Sequence, residues 1–235
     1  WSVSLSSDGS VVAIGAQRDD GTSTDAGHVR IYENNNGTWT QIGSDIDGES
    51  SSDNFGWSVS LSGDGSVVAI GAPYDDGGGG SNSGHVRIYE KNNGTWTQIG
   101  SDIDGESSSD YSGSAVSLSS DGSVVAIGAY GNDGNGSASG HVRVYENNNG
   151  TWTQIGSDID GESSSDQSGY SESGSAVSLS GDGSVVAIGA YANDGGGSNS
   201  GHVRIYENNN GTWTQIGSDI DGESSSDYFG WSVSL

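Results

Sequence analysis

One stretch constrains this chain more than any other. Phe55-Gly56-Trp57-Ser58-Val59-Ser60-Leu61 runs into Ser62-Gly63-Asp64-Gly65-Ser66-Val67-Val68-Ala69-Ile70-Gly71-Ala72-Pro73, and the pattern returns along the whole length. The sequence opens on it at Trp1-Ser2-Val3-Ser4-Leu5 and closes on it at 231–235. Degenerate copies start at Ser114 and Ser175, where Ser-Ala replaces Trp-Ser. Starts at residues 1, 57, 114, 175 and 231 lie 56 to 61 residues apart. A regular period of this size signals stacked supersecondary units and overrides a division into ordinary domains. The repeats read as 1–56, 57–113, 114–174 and 175–230, with 231–235 opening a further one. A start in mid-pattern predicts that the chain is a piece of a longer array.

The second repeat shows what each unit folds into. Ser58 to Ser62 alternates small polar with apolar residues, the period of a strand with one buried face. Asp64-Gly65 supplies a turn, since both residues tolerate positive φ. Val67 to Ala72 is nearly all apolar and reads as a strand covered on both sides. After a Gly/Ser/Asp loop, His85 to Glu90 alternates again, and Asn92-Asn93-Gly94 predicts a tight hairpin into Thr95-Trp96-Thr97-Gln98-Ile99. The acidic stretch 102–110 then reads as a connection to the next repeat. Four strands and three hairpin connections make one antiparallel meander, which cannot bury both faces alone. The fold class is therefore all-β: a β-propeller-type array of four-stranded antiparallel blades, four of them plus the first strand of a fifth. No segment has helical periodicity.

Hydrophobic residues are only 30% of the chain and the formal charge is −26, values that border on disorder. The strand alternation is too well kept for a solvated coil. The charge excludes nucleic acid and anionic membrane surfaces as partners, and no apolar run is long enough for a membrane-spanning helix. Without cysteine there is no disulfide, thiolate site or thiol nucleophile.

Phe55-Gly56 before the first strand, Ile70-Gly71-Ala72-Pro73 after the second, and Gly84-His85-Val86-Arg87-Ile88-Tyr89 in the third resemble the FG-GAP repeat of integrin-α-type β-propellers. Only Phe55 and Phe229 keep the Phe; other copies read Tyr111-Ser112-Gly113 and Glu172-Ser173-Gly174. Proline follows Gly-Ala once, at Pro73, where Gln17, Tyr130 and Tyr191 stand in the other repeats. The resemblance implies an extracellular protein, secreted or on a cell surface, that binds a protein or glycan ligand across one face. It also implies calcium in an acidic loop between the first two strands, but Ser62-Gly63-Asp64-Gly65 offers one carboxylate and is too short.

The acidic connections are the other candidates for calcium: Asp45, Asp47, Glu49 and Asp53; Asp102, Asp104, Glu106 and Asp110; Asp158, Asp160, Glu162 and Asp166; Asp219, Asp221, Glu223 and Asp227. Hard cations take several oxygens, which closely spaced carboxylates supply. The alternative is a solvated turn with carboxylates capping backbone amides. Asp19-Asp20, Asp75-Asp76, Asp133 and Asp194 in a neighbouring loop add ligands. His28, His85, His141 and His202, one per repeat, read as packed residues, since a metal needs several ligands converging. Trp39, Trp96, Trp152 and Trp213 read as inter-blade packing, or else as a carbohydrate-stacking row. Asn36, Asn93, Asn149 and Asn210, with Asn135 in addition, head glycosylation sequons.

Because all four copies keep similar acids, and catalysis requires broken symmetry, the sequence predicts no enzyme. It predicts adhesion or scaffolding through ligand- or glycan-bearing loops. The alternative is a glycosylated fibre subunit that self-associates through the strand at 231–235, which has no vacancy in a closed four-bladed ring.

Overall fold

The computed structural model describes residues 2–169 and 176–235. Trp1 and the stretch 170–175, which includes the start expected at Ser175 and the expected motif copy at 172–174, lie outside the described residues. The first repeat forms β1 (Val3–Leu5), β2 (Val11–Ala16), β3 (His28–Asn35), β4 (Thr38–Gln41) and β5 (Ile46–Asp47). The second forms β6 (Ser58–Leu61), β7 (Val67–Ala72), β8 (His85–Asn92), β9 (Thr95–Gln98) and β10 (Ile103–Asp104). The third forms β11 (Ser112–Leu118), β12 (Val124–Ala129), β13 (His141–Asn148), β14 (Thr151–Gln154) and β15 (Ile159–Asp160). The fourth forms β16 (Val177–Leu179), β17 (Val185–Ala190), β18 (His202–Asn208), β19 (Trp213–Gln215) and β20 (Ile220–Asp221). No helix occurs among the described residues.

Each repeat is one sheet in which the first four strands pair in meander order. The acidic connection is more than a linker. Two of its residues return to pair with the third strand, beside the stretch that the fourth strand leaves open. The register sets Asp47 opposite His28, Asp104 opposite His85, Asp160 opposite His141 and Asp221 opposite His202. A carboxylate and an imidazole are thus brought level in every blade.

Local chemistry explains the turns. Asn93 and Gly94 both have positive φ, 51° and 81°, which is the type I′ geometry that twists a hairpin correctly. At the β6–β7 turn, Asp64 accepts hydrogen bonds from Ser62 Oγ (2.8 Å), Ser66 N (2.9 Å) and Ser66 Oγ (2.7 Å). The equivalent Asp8 and Asp182 are held down at about 2 by the same serine donors. This loop braces itself with its only carboxylate.

The core lies between blades. Val11, Ala13, Val29 and Ile31 pack against Val59, Leu61, Val68 and Ile70 of the next sheet. The second and third blades join through Val86 and Ile88 against Val116, Leu118 and Ile127, and the third and fourth repeat the scheme. Leu61, Leu118 and Leu179 donate their backbone N–H to Ser4, Ser60 and Ser117 Oγ of the preceding inner strand. Leu235 makes the same bond to Ser178 at 2.9 Å, so 231–235 stands where a following blade would begin. Val3 and Leu5 are 65% and 57% exposed, against 6% for their counterparts Val59 and Leu61. Among the described residues no blade covers this face of the first one.

The paired glycines of the repeat motif meet at these interfaces. A Cβ on Gly15, Gly71 or Gly189 would fall about 2 Å from the carbonyl oxygen of Gly56, Gly113 or Gly230. In the third interface Gly128 faces Gly169, so Ser168-Gly169 holds the place that the sequence assigned to 172–174.

Three of the four fourth-strand tryptophans pack between blades: Trp96, Trp152 and Trp213 donate Nε1–H to Ile42, Ile99 and Ile155 O of the preceding blade at 2.9–3.0 Å, whereas Trp39 of the first blade is exposed. Trp152→Ala is expected to cost about 2 kcal/mol, because a half-buried ring and its hydrogen bond are lost together. The shift in urea midpoint at unchanged slope measures it; a change below about 0.5 kcal/mol would remove these rings from the inter-blade core.

Candidate functional site

The third strands and the short fifth strands project their polar ends to one side of the blades, where the acidic connections pass between neighbours. In the second blade, His85 is 2% exposed and its Nδ1 lies 3.1 Å from Asp75 Oδ1. Arg87, also buried, donates from Nε and Nη2 to Asp102 Oδ2 at 3.1 and 3.0 Å and pairs with Glu49 of the preceding connection. Asp102 is further fixed by Gln98 Nε2 at 2.7 Å. Glu49, Asp53, Asp75, His85, Asp102 and Asp104 line one cleft of ≈ 640 Å³ between the first and second blades.

Two carboxylates face each other on the floor of this cleft. Asp53 Oδ2 accepts the Ser50 N–H at 2.8 Å and meets Asp75, and both aspartates are buried. Burial first, and the neighbouring Asp75 charge after it, push the Asp53 carboxyl up to about 6. For Asp75 burial pulls upward too, but the hydrogen bond and charge of His85 outweigh it and hold the carboxyl below its ordinary value.

The other blades differ, although the sequence reading gave them the same acids. Aligned on Gly-Ala after the second strand, Asp19 and Asp75 correspond to Asn132 and Asn193. In the first blade Asp19 Oδ1 lies 3.0 Å from His28 Nδ1, as in the second. In the third and fourth, Asn132 and Asn193 turn their amides to Asp110 Oδ2 (3.3 Å) and Asp166 Oδ2 (3.1 Å). The symmetry is broken after all, and among the described residues only the cleft between the first two blades pairs two carboxylates in this way.

The acidic residues singled out in the sequence do not converge as four-residue sets. Asp45, Asp102, Asp158 and Asp219 accept from the Gln four residues earlier, at 2.6–2.7 Å. Asp45 also binds Arg30, which lowers its pKa. Asp53, Asp110, Asp166 and Asp227 cap the backbone N–H three residues earlier. Glu49, Glu106 and Glu162 reach forward to Arg87, Arg143 and Arg204 of the next blade. Asp47, Asp104, Asp160 and Asp221 sit in the short fifth strands, and Glu223 is exposed beyond the last blade.

What does converge includes the histidines, which are buried as the sequence reading expected but also stand beside carboxylates. Groups of three ligand atoms within 4.8 Å of one another form at His28, Asp45 and Asp47; at His85, Asp102 and Asp104; at Glu106, His141 and Asp158; and at Glu162, His202 and Asp219. These groups are capable of coordinating a metal ion. The signal in the sequence was the constant spacing of 17 residues from His to the Asp that opens each acidic connection.

The sequon asparagines Asn36, Asn93, Asn149 and Asn210 occupy exposed hairpin tips at φ of 51–53°. Asn135 instead donates its Nδ2–H to Gly161 O at 2.9 Å. Among the described residues no helix is long and apolar enough to cross a membrane.

A family model of the FG-GAP repeat matches residues 45–89, one interface and most of the second blade. The fold is that of a β-propeller. Solved structures similar to it include a 6-phosphogluconolactonase described as putative from Bacteroides uniformis (14% identity, TM-score 0.58), with 94% of this chain and 54% of that one covered. The periplasmic gluconolactonase of Pseudomonas aeruginosa is similar at 15% identity and TM-score 0.56, covering 94% and 56%. The β-propeller domain of the Trilobed protease from Pyrococcus furiosus, of open velcro topology, follows at 8% identity and TM-score 0.52, covering 94% and 57%. The chain spans about half the length of these structures. No curated protein matches.

These findings overturn the expectation of a non-enzymatic adhesion, scaffold or fibre protein. The three similar propellers carry the names of enzymes, and every blade gathers a buried imidazole with carboxylates capable of holding a metal ion.

Proposed function

We propose that the cleft between the first and second blades is the centre of a calcium-assisted hydrolase acting on uncharged lactones or esters. The observation that carries this reading is the buried Asp53–Asp75 pair, with Asp53 raised to about 6, on the floor of a cleft walled by further carboxylates. A carboxyl near neutrality is matched to general acid–base work. The likeness of fold to two lactonases supports the reaction class. The charge of −26 opposes phosphorylated or otherwise anionic substrates, so an uncharged lactone is the fitting choice.

The oxygen-rich donor set fits calcium: His85 Nδ1 is already committed to Asp75, leaving the carboxylates Asp102 and Asp104 of the His85 group as the ligands that would hold the ion. When bound, calcium supplies Lewis acidity toward a carbonyl oxygen. Deprotonated Asp53 takes a proton as water adds to the carbonyl carbon. The ring C–O bond then breaks, and Asp53 returns the proton to the departing alkoxide. The acid product releases one proton, which a pH-stat counts.

The test is glucono-δ-lactone hydrolysis at fixed pH with calcium and then with a chelator. Consumption of base above the buffer blank, lost on chelation, is the expected result. A rate equal to the blank in both conditions would sink the proposal.

A further inference from the structure

The third and fourth blades carry groups that the hydrolytic cleft does not use. His141 is 1% exposed, and neither of its ring nitrogens has a hydrogen-bond partner. Its Nδ1 faces Asp158 Oδ2 at 3.6 Å, too far for a hydrogen bond, within the group that includes Glu106. His202, equally buried, leaves Nδ1 without a hydrogen bond while Glu162 Oε2 and Asp219 Oδ2 both stand 3.9 Å away. A buried polar atom without a partner is costly and calls for an explanation such as an ion.

The cause is a change of one residue type. In the first two blades Asp19 and Asp75 accept the hydrogen bond that the histidine donates from Nδ1–H. Asn132 and Asn193 stand in those places later in the chain and spend their amides on Asp110 and Asp166. Nδ1 of His141 and of His202 is thereby left facing two carboxylates with no hydrogen-bond acceptor in reach.

We propose that Glu106–His141–Asp158 and Glu162–His202–Asp219 are two binding sites for a zinc-class divalent ion. One imidazole nitrogen with two carboxylate oxygens is a donor set for such ions, whereas calcium takes six to eight oxygens. Bonds of about 2 Å at tetrahedral angles require ligand atoms roughly 3.3 Å apart. The observed separations exceed that by a few tenths of an ångström for the closest pairs, and Glu106 and Glu162 are exposed side chains able to close in. Arg204 holds Glu162 by Oε1 at 3.5 Å, leaving Oε2 for the ion. Clefts of ≈ 370 and ≈ 390 Å³ open beside the two groups, so a fourth position is left for water or a small ligand. Each ion joins the connection from one blade to the third strand of the next.

Zinc titration of the metal-free chain by calorimetry, in excess calcium, tests this independently of hydrolysis. Two tight sites are expected, with one lost in His141→Gln, one in His202→Gln and both in the double variant. Cobalt in place of zinc gives the intense visible bands of a four-coordinate ion in the parent chain, and these disappear in the double variant. Glu106→Gln and Glu162→Gln, at exposed positions, serve as the second pair of variants and weaken binding at least tenfold without unfolding the chain. Binding that persists in the double variants, or a parent chain that takes up no zinc, would overturn the proposal. So would loss of both sites in His28→Gln and His85→Gln with the later histidines intact. Lactone hydrolysis without zinc uptake, or uptake without hydrolysis, separates the two readings.

Discussion

Replacing Gly71 with alanine is expected to destabilise the array by about 3 kcal/mol, a large effect for a single methyl group. The added Cβ would lie 2.0 Å from Gly113 O and 2.4 Å from Ser58 Oγ. A serine hydroxyl can rotate away, but Gly113 O belongs to the backbone of β11, whose neighbours pack into the core shared by the second and third blades. Relief therefore requires the two sheets to part, which uncovers Val86, Ile88, Val116 and Leu118 together. Gly94 is the control. Its φ is +81°, so alanine there carries the cost of a left-handed backbone, about 1 kcal/mol, yet its Cβ would meet nothing within 4 Å. Urea midpoints of the two variants separate steric closeness between blades from backbone strain in a turn. If Gly71→Ala loses no more than Gly94→Ala, the glycine contact is not what sets the blade spacing.

The same contact explains why the fold was legible in the sequence. Strand alternation, Asn-Gly turns and a fixed period are local properties, and local properties survive translation into one-dimensional text. The two glycines of the motif lie 42 residues apart, at Gly71 and Gly113, yet both recur every repeat because each interface is built identically. The short fifth strand was hidden for the opposite reason. Ile103 and Asp104 are two residues in an acidic stretch, and only pairing with Val86 and His85 makes them a strand. The site was less legible still. Glu106 and His141 belong to different repeats, so reading one repeat at a time leaves each histidine alone. The change from Asp75 to Asn132 and Asn193 was written in the sequence but masked by the retained Asp76, Asp133 and Asp194 immediately after it. A repeat protein advertises its scaffold through what recurs; the chemistry sits in what does not.

That broken repeat also yields the prediction that bears most directly on activity. Asp53→Asn is expected to lower lactone hydrolysis by a factor of about 10²–10⁴, the usual worth of a general base. The amide oxygen still accepts the Ser50 N–H, so the turn is kept and the loss is chemical. In the parent chain the rate should rise with pH through about 6 as Asp53 deprotonates. Stability runs the other way. The folded-state pKa lies above the ordinary carboxylate value of 3.8, so the contribution from Asp53 is fully present below that value and is lost as pH climbs through about 6. Activity and stability thus cross in one window because a single carboxyl governs both. Asp75→Asn gives this cleft the Asn of the third and fourth blades. It should move the rising limb downward by part of the shift, since the Asp75 charge is gone while burial, the larger cause, remains. A limb that stays at 6 in Asp75→Asn, or full activity in Asp53→Asn, would show that the pair is a structural contact and that the proton is moved elsewhere.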